Sequence, residues 1–223
     1  MACMTLRKRF ASIPVAFFSL YLANAMAAEP SARCMENSPE RRGEIGCSII
    51  AQKLLPEGLK EPVFWHIDRF DSIDKARAAA GTASVAFEAD GKSWLMTVEA
   101  HTSDHHGGHH VAGVGPLPLP KASRYAMQVN SAILTPGMHT RIHTHSGVEG
   151  FYVVRGEQCL ETSARATTMK KDQTLAIADD TPIRLVTTGT STLYSLAIVV
   201  HDASLPSTTE IDDSTAPQLV ACK

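Results

Sequence analysis

The sequence lacks an excess of charge of either sign, with 21 Lys and Arg against 23 Asp and Glu. A nucleic-acid binder needs a basic face to neutralise phosphates, so that class is excluded. Beyond the first thirty residues it also lacks any apolar run long enough to span a bilayer. No Cys-x-x-Cys occurs, which removes a redox-active dithiol. No stretch repeats itself, which argues against a duplicated, two-barrel architecture.

What is present begins with an export segment. Arg7, Lys8 and Arg9 form a positive n-region, and an apolar stretch runs from Phe10 to about Leu22, broken by Pro14. Ala25-Met26-Ala27 supplies small residues at both positions that a signal peptidase reads. The expectation is a signal peptide over residues 1–27, cleaved after Ala27, and a periplasmic or secreted protein with no membrane attachment. The apolar stretch is shorter than the ~20 residues a spanning helix needs. In an oxidising compartment Cys34, Cys47, Cys159 and Cys222 form two disulfides, with three pairings open. Cys34–Cys47 is favoured as a short local loop, and Cys159–Cys222 as a clasp that pins the C-terminal tail.

Residues 28–60 are polar and turn-rich, and read as an N-terminal extension. Pro62 to Phe70 alternates apolar with polar residues, as a strand does. Asp71 to Ala80 reads as one short helix, with Asp71 as N-cap, Asp74 three positions on and Gly81 as the stop. Ser84–Glu88 and Ser93–Glu99 flank Asp90-Gly91, a hairpin signal. His101 to Pro120 reads as a loop, because the prolines of GVGPLPLP cannot pair within a sheet. Its first half, HTSDHHGGHH, offers weak capture of Zn, Cu or Ni at His105, His106, His109 and His110, or a lid over the body; an ordinary solvated loop is the alternative.

From Tyr125 the pattern is strand after strand: 125–134, 139–145, 150–155, 158–162, 173–177, 183–187 and 191–201. Short strands at close spacing with little helix define an all-β sandwich or barrel, placed here over residues 61–201 with a tail at 202–223. The strands near 64–67 and 93–98 are expected to join the barrel sheets and enlarge them.

Chemistry concentrates in PGMHTRIHTHSGVEGFYVVRGE, residues 136–157. His143 and His145 are two apart in a strand, so both project from one face. Ser146-Gly147 turns the chain, and Glu149 opens a strand expected to lie antiparallel beside the first. Two imidazoles and one carboxylate on one side of an ion leave its other side open, as a catalytic metal centre requires.

These residues resemble the first motif of the cupin superfamily: Gly, five residues, His-x-His, three or four residues, Glu, six residues, Gly. Gly137, His143, His145, Glu149 and Gly156 stand at those intervals. The resemblance covers residues 125–201 and implies a cupin (jelly-roll) barrel with His143, His145 and Glu149 as ligands of a divalent ion (Fe, Mn, Zn, Cu or Ni). It makes Gly137 and Gly156 turn residues with φ > 0. It also implies a homodimer, since cupins often pair through barrel edges. The second cupin motif departs from the pattern. Ala178-Asp179-Asp180 occupies its Pro-x-Gly turn, Ile183 its histidine and Thr187 its asparagine, while Pro182 and the strand at Ile183 keep its shape. Three outcomes stay open: three protein ligands plus water; a substitute histidine, His139 first and then His66 or His201; or a barrel that binds or isomerises small molecules without a metal.

The leading function is an enzyme acting on a small organic molecule, whose ion would serve as a Lewis acid or bind O₂. Arg141 shares the inward parity of His143 and is a candidate contact for an anionic substrate, or else a surface ion-pair partner. No residue stands out as a dedicated acid or base. The alternative is a non-catalytic small-ligand or metal-binding module of the cell envelope.

Overall fold

A computed structural model of the chain describes residues 31–32, 34–36, 43–59, 61–100 and 107–223. The expected signal peptide and His101, His105 and His106 lie outside the described residues. Strands β1 (Ser31–Ala32), β2 (Cys34–Glu36), β3 (Gly46–Leu54) and β4 (Val63–Phe70) come first. Helix α1 (Ile73–Ala79), β5 (Ser84–Ala89), β6 (Lys92–Glu99) and β7 (His109–Leu117) follow. Then come β8 (Tyr125–Leu134), β9 (His139–Thr140), β10 (His143–His145), β11 (Gly147–Arg155) and β12 (Glu157–Thr162). β13 (Ala166–Lys170), β14 (Thr174–Ile177), β15 (Ile183–Thr187), β16 (Leu193–Asp202) and β17 (Thr208–Glu210) complete the series.

Three sheets result. The first runs β1-β9-β15-β10-β17, with β12 joining β15 to β13; the second runs β14-β11-β16-β8-β3-β2; the third is β5-β6-β4-β7. The second sheet is covered on both faces, and alternate residues divide between two apolar clusters. Met127, Val129, Tyr152, Leu196 and Ile198 pack with Trp65, Ile67, Trp94 and Met96 of the third sheet. Ala132, Leu134, Phe151, Val153 and Ala197 pack with Leu160, Met169, Ile183 and Leu185 of the first. Burial on two sides is why β11 and β16 read as largely apolar runs, while β8 buries Gln128, Asn130 and Ser131 among its apolar residues. The first and second sheets close the jelly-roll barrel, and the third is an added layer outside it, so the strands at 64–67 and 93–98 do not enlarge the barrel as expected. Trp65 fills that outer interface with no exposed surface. Its ring passes Gly150, where a Cβ would stand 3.0 Å away. Burying an indole of this size contributes on the order of 4 kcal/mol.

Several local expectations are corrected. Residues 28–60 are not only an extension, because β3 pairs with β8 over nearly its whole length within the second sheet. The 101–120 loop contains β7, which pairs with β4 and carries Pro116. Among the described residues β7 pairs on one side only, and an edge strand tolerates the missing N–H of proline. The helix is capped by Ser72, whose hydroxyl accepts from Lys75 N, while Asp71 pairs with the Lys75 ammonium. The 139–145 strand is broken at Arg141-Ile142 into β9 and β10. The Asp90-Gly91 hairpin is found, with both residues at positive φ, 50° and 64°.

Cys159 and Cys222 form a disulfide that ties β12 to the tail. Beside it, Cys222 N donates to Glu161 Oε1 at 2.7 Å and Val220 N to Thr162 O at 2.9 Å. Cys47 is also disulfide-bonded, and the backbone sets Cys34 in register with it. With its ends 63 positions apart in sequence, the Cys159–Cys222 link is expected to contribute about 2–4 kcal/mol. Urea unfolding of the Cys159→Ser, Cys222→Ser double variant measures this directly; a midpoint equal to that of the parent would contradict it.

Candidate metal centre

β10 and β11 are not a hairpin. β10 pairs with β15 and β17 in the first sheet, whereas β11 pairs with β14 and β16 in the second. The chain crosses between sheets at Ser146, so Glu149 reaches the histidines across the barrel interior rather than from an adjacent strand. Gly147 makes the crossing feasible. A Cβ there would overlap the Val200 carbonyl and His201 Cα on β16. Gly137 and Gly156 both have φ of 82°, the left-handed conformation expected of them.

The crossing brings His143, His145 and Glu149 together, with their ligand atoms all within 4.8 Å of one another. His145 Nε2 lies 3.2 Å from Glu149 Oε2, and both side chains are only 5% exposed. Yet neither atom meets a hydrogen-bond partner in good geometry among the described residues. Leaving such buried atoms unsatisfied costs about 1–3 kcal/mol each, more where one is charged. The His143 and His145 rings stand edge to face, centres 4.9 Å apart.

The other ring nitrogens are anchored. His143 Nδ1 lies 2.8 Å from Arg141 O, and His145 Nδ1 lies 2.9 Å from Ser207 O. A carbonyl can only accept, so both Nδ1 atoms carry the proton and both Nε2 atoms keep a lone pair facing the site. Ser207 is itself held, donating from Oγ to Gln128 Oε1 at 2.8 Å, and Thr208 Oγ1 approaches His145 Nδ1 at 3.1 Å. These two residues lie in the 202–223 segment read as a tail; β17 in fact lies against β10 beside the site. Burial pushes the His143 imidazole below its ordinary pKa, and His145 adds to this, so the ring is held neutral. Burial also opposes protonation of His145, but the Glu149 carboxylate more than offsets it and raises the pKa.

The trio opens on a cavity of about 250 Å³, the size of a small organic molecule. Phe151, Ile183, Leu185 and Ala197 give it an apolar wall. Ile183 is buried and directly opposite His143 in register, so the missing histidine of the second motif is replaced by hydrocarbon. Arg141 lines the cavity and pairs with Glu210, Nε to Oε2 at 3.6 Å, so it is both an inward residue and an ion-pair partner. The substitute histidines are elsewhere. His139 does not line the cavity and its Nδ1 donates to Thr140 O; the break at Arg141-Ile142 cancels the strand parity that pointed it inward. His66 is on the third sheet. His201 packs opposite Gly147, with Nδ1 on Asp202 O.

Two imidazoles that turn Nε2 toward the site and one carboxylate, all buried or nearly so, fit a divalent ion of the two-His, one-carboxylate kind. The sheets that carry them are largely antiparallel and face one another across the cavity. No family model matches the sequence, and no curated protein does. Similarity is found among solved structures. A cupin-like protein from Thermotoga maritima is 21% identical, over 40% of this chain and 67% of that one, at a TM-score of 0.36. An RmlC-like cupin with a double-stranded β-helix fold from Methanocaldococcus jannaschii is 13% identical, over 34% and 70%, at 0.33. An oxalate oxidase in complex with the substrate analogue glycolate is 14% identical, over 39% and 46%, at 0.34.

Proposed function

We propose that this chain is an exported metal-dependent cupin that acts on a small organic molecule, with a divalent ion held by His143, His145 and Glu149. One observation carries the reading: His145 Nε2 and Glu149 Oε2 lie 3.2 Å apart, buried, without a hydrogen bond. A bound divalent ion supplies Lewis acidity on the side facing the cavity. The chain's own residues do the rest. Arg141 O and Ser207 O fix the tautomers of the ligand rings, and the apolar wall excludes water. The Arg141 guanidinium, at the rim, orients an anionic group of the substrate.

Ile183 favours a second reading, a non-catalytic ligand-binding or metal-binding module of the cell envelope. It removes a donor and adds no acid or base. Elemental analysis of protein recovered from its native compartment, followed by removal and return of the ion in a turnover screen of small carboxylates, separates the two. About one ion per chain with metal-dependent turnover supports the enzyme. One ion without turnover supports the module, and no ion overturns both metal readings.

A further inference from the structure

The cavity beside the trio has one amide set in its apolar wall. On the second sheet Phe151, Ala197, Asn130 and Ile49 stand side by side on β11, β16, β8 and β3, and all four line the cavity. Asn130 is the polar member of that row, and it is only 4% exposed. Its Oδ1 accepts from Gln128 Nε2 at 2.9 Å, two residues back on the same face of β8. Gln128 is fixed in turn, because its Oε1 accepts from Gln52 Nε2 at 2.9 Å and from Ser207 Oγ at 2.8 Å. With Oδ1 committed to Gln128, the N–H bonds of Nδ2 are what Asn130 offers the cavity.

The hydroxyls of the cavity wall already meet protein groups. Thr140 Oγ1 accepts from Leu185 N, Ser195 Oγ donates to Tyr152 O, and Thr208 Oγ1 approaches His145 Nδ1. Among the described residues nothing accepts from Asn130 Nδ2. That nitrogen is not sealed off either, so a molecule in the cavity can reach it. A donor so deeply placed costs free energy until an acceptor arrives, and an oxygen of a bound molecule supplies one. Its position sets it apart from the ion. Glu149 shares the neighbouring row with Val199 and Gln128, and β16 lies between β11 and β8. Two strand spacings amount to about 10 Å, so Asn130 meets a part of the molecule remote from the trio.

We propose that Asn130 determines specificity: its Nδ2 donates to a carbonyl oxygen that the substrate carries a few carbons away from its anionic head. The substrate class is then a short oxo-carboxylate. This rests on the reading of the cavity as a substrate site. Asn130 presents only donors there, so a group that only accepts matches it. A hydroxyl would bring a proton of its own to a wall formed by Ile49, Ala197 and Phe151, which offer no acceptor side chain.

Calorimetry on the full chain, zinc-loaded and metal-free, tests this with acetoacetate against isovalerate and levulinate against isocaproate. Each pair exchanges a carbonyl oxygen for a methyl group of similar size. The oxo member of at least one pair is expected to bind about tenfold more tightly. Asn130→Leu should erase that preference and keep the binding of the methyl ligands. Asn130→Asp retains an acceptor for Gln128 but faces the cavity with oxygen, and should erase the preference as well. Circular dichroism and the urea midpoint identify a variant that fails to fold, and the other then carries the test. Equal binding within both pairs, or an oxo preference that a folded Asn130 variant keeps, overturns the proposal. An oxo preference that is present without the ion and lost with Asn130 supports it even where the metal reading falls. Zinc held by the trio with no oxo preference removes the role of Asn130 alone.

Discussion

Glu149→Gln is expected to abolish ion binding at the barrel while leaving the fold intact. Changes to groups that only hydrogen-bond a metal ligand cost about 10–100-fold in affinity, so removing a charged ligand should cost more than about 100-fold. The variant keeps the volume of the side chain, so the wall formed with Phe151 and Ala197 is not opened. Its effect on the metal-free protein runs the other way. Glu149 is a buried carboxylate with one oxygen lacking a hydrogen bond among the described residues; Gln removes the desolvation cost of that charge, and without the carboxylate burial returns the His145 ring to its neutral form. A chelator-competition assay should therefore report lost binding, while the urea midpoint of metal-free protein is unchanged or higher. A fall in that midpoint would mean that Glu149 is there for stability.

Gly147→Ala is expected to be among the most damaging single substitutions, at about 3–5 kcal/mol. The methyl would overlap main-chain atoms of Val200 and His201, which the β11–β16 ladder fixes and no rotamer change can clear. Relief requires β11 to move away from β16, which carries Glu149 away from both histidines. Thermal unfolding should show a large loss of stability, and any folded remainder should bind metal poorly. By contrast Gly91→Ala, at a turn with open space around it, meets no such backbone and pays only for its positive φ of 64°.

The barrel was legible because its signals are local. Short strands at close spacing marked the barrel, Asp90-Gly91 marked a hairpin, and the spacing of His143, His145 and Glu149 named the trio. What the sequence hid depends on distant partners. Burial on two faces removed the alternation that would have separated the third sheet from the barrel. Whether β10 and β11 pair or diverge rests on Gly147 meeting β16, which local spacing cannot express. The anchor of His145 comes from Ser207, in a polar stretch with no periodicity, held by Gln128 from β8. Ile183 was readable as a missing ligand, and its burial opposite His143 gives that reading its physical content. His110 was read as part of a histidine-rich loop, whereas the pairing of β7 with β4 sets it beside His66 and Asp68.

The most direct test of the central claim is anomalous diffraction from crystals of protein taken from its native compartment, measured at successive metal edges. One peak is expected at about 2.0–2.3 Å from His143 Nε2, His145 Nε2 and a Glu149 carboxylate oxygen, on the side facing the cavity. A barrel with no anomalous peak, and His145 hydrogen-bonded directly to Glu149 in its place, would contradict it.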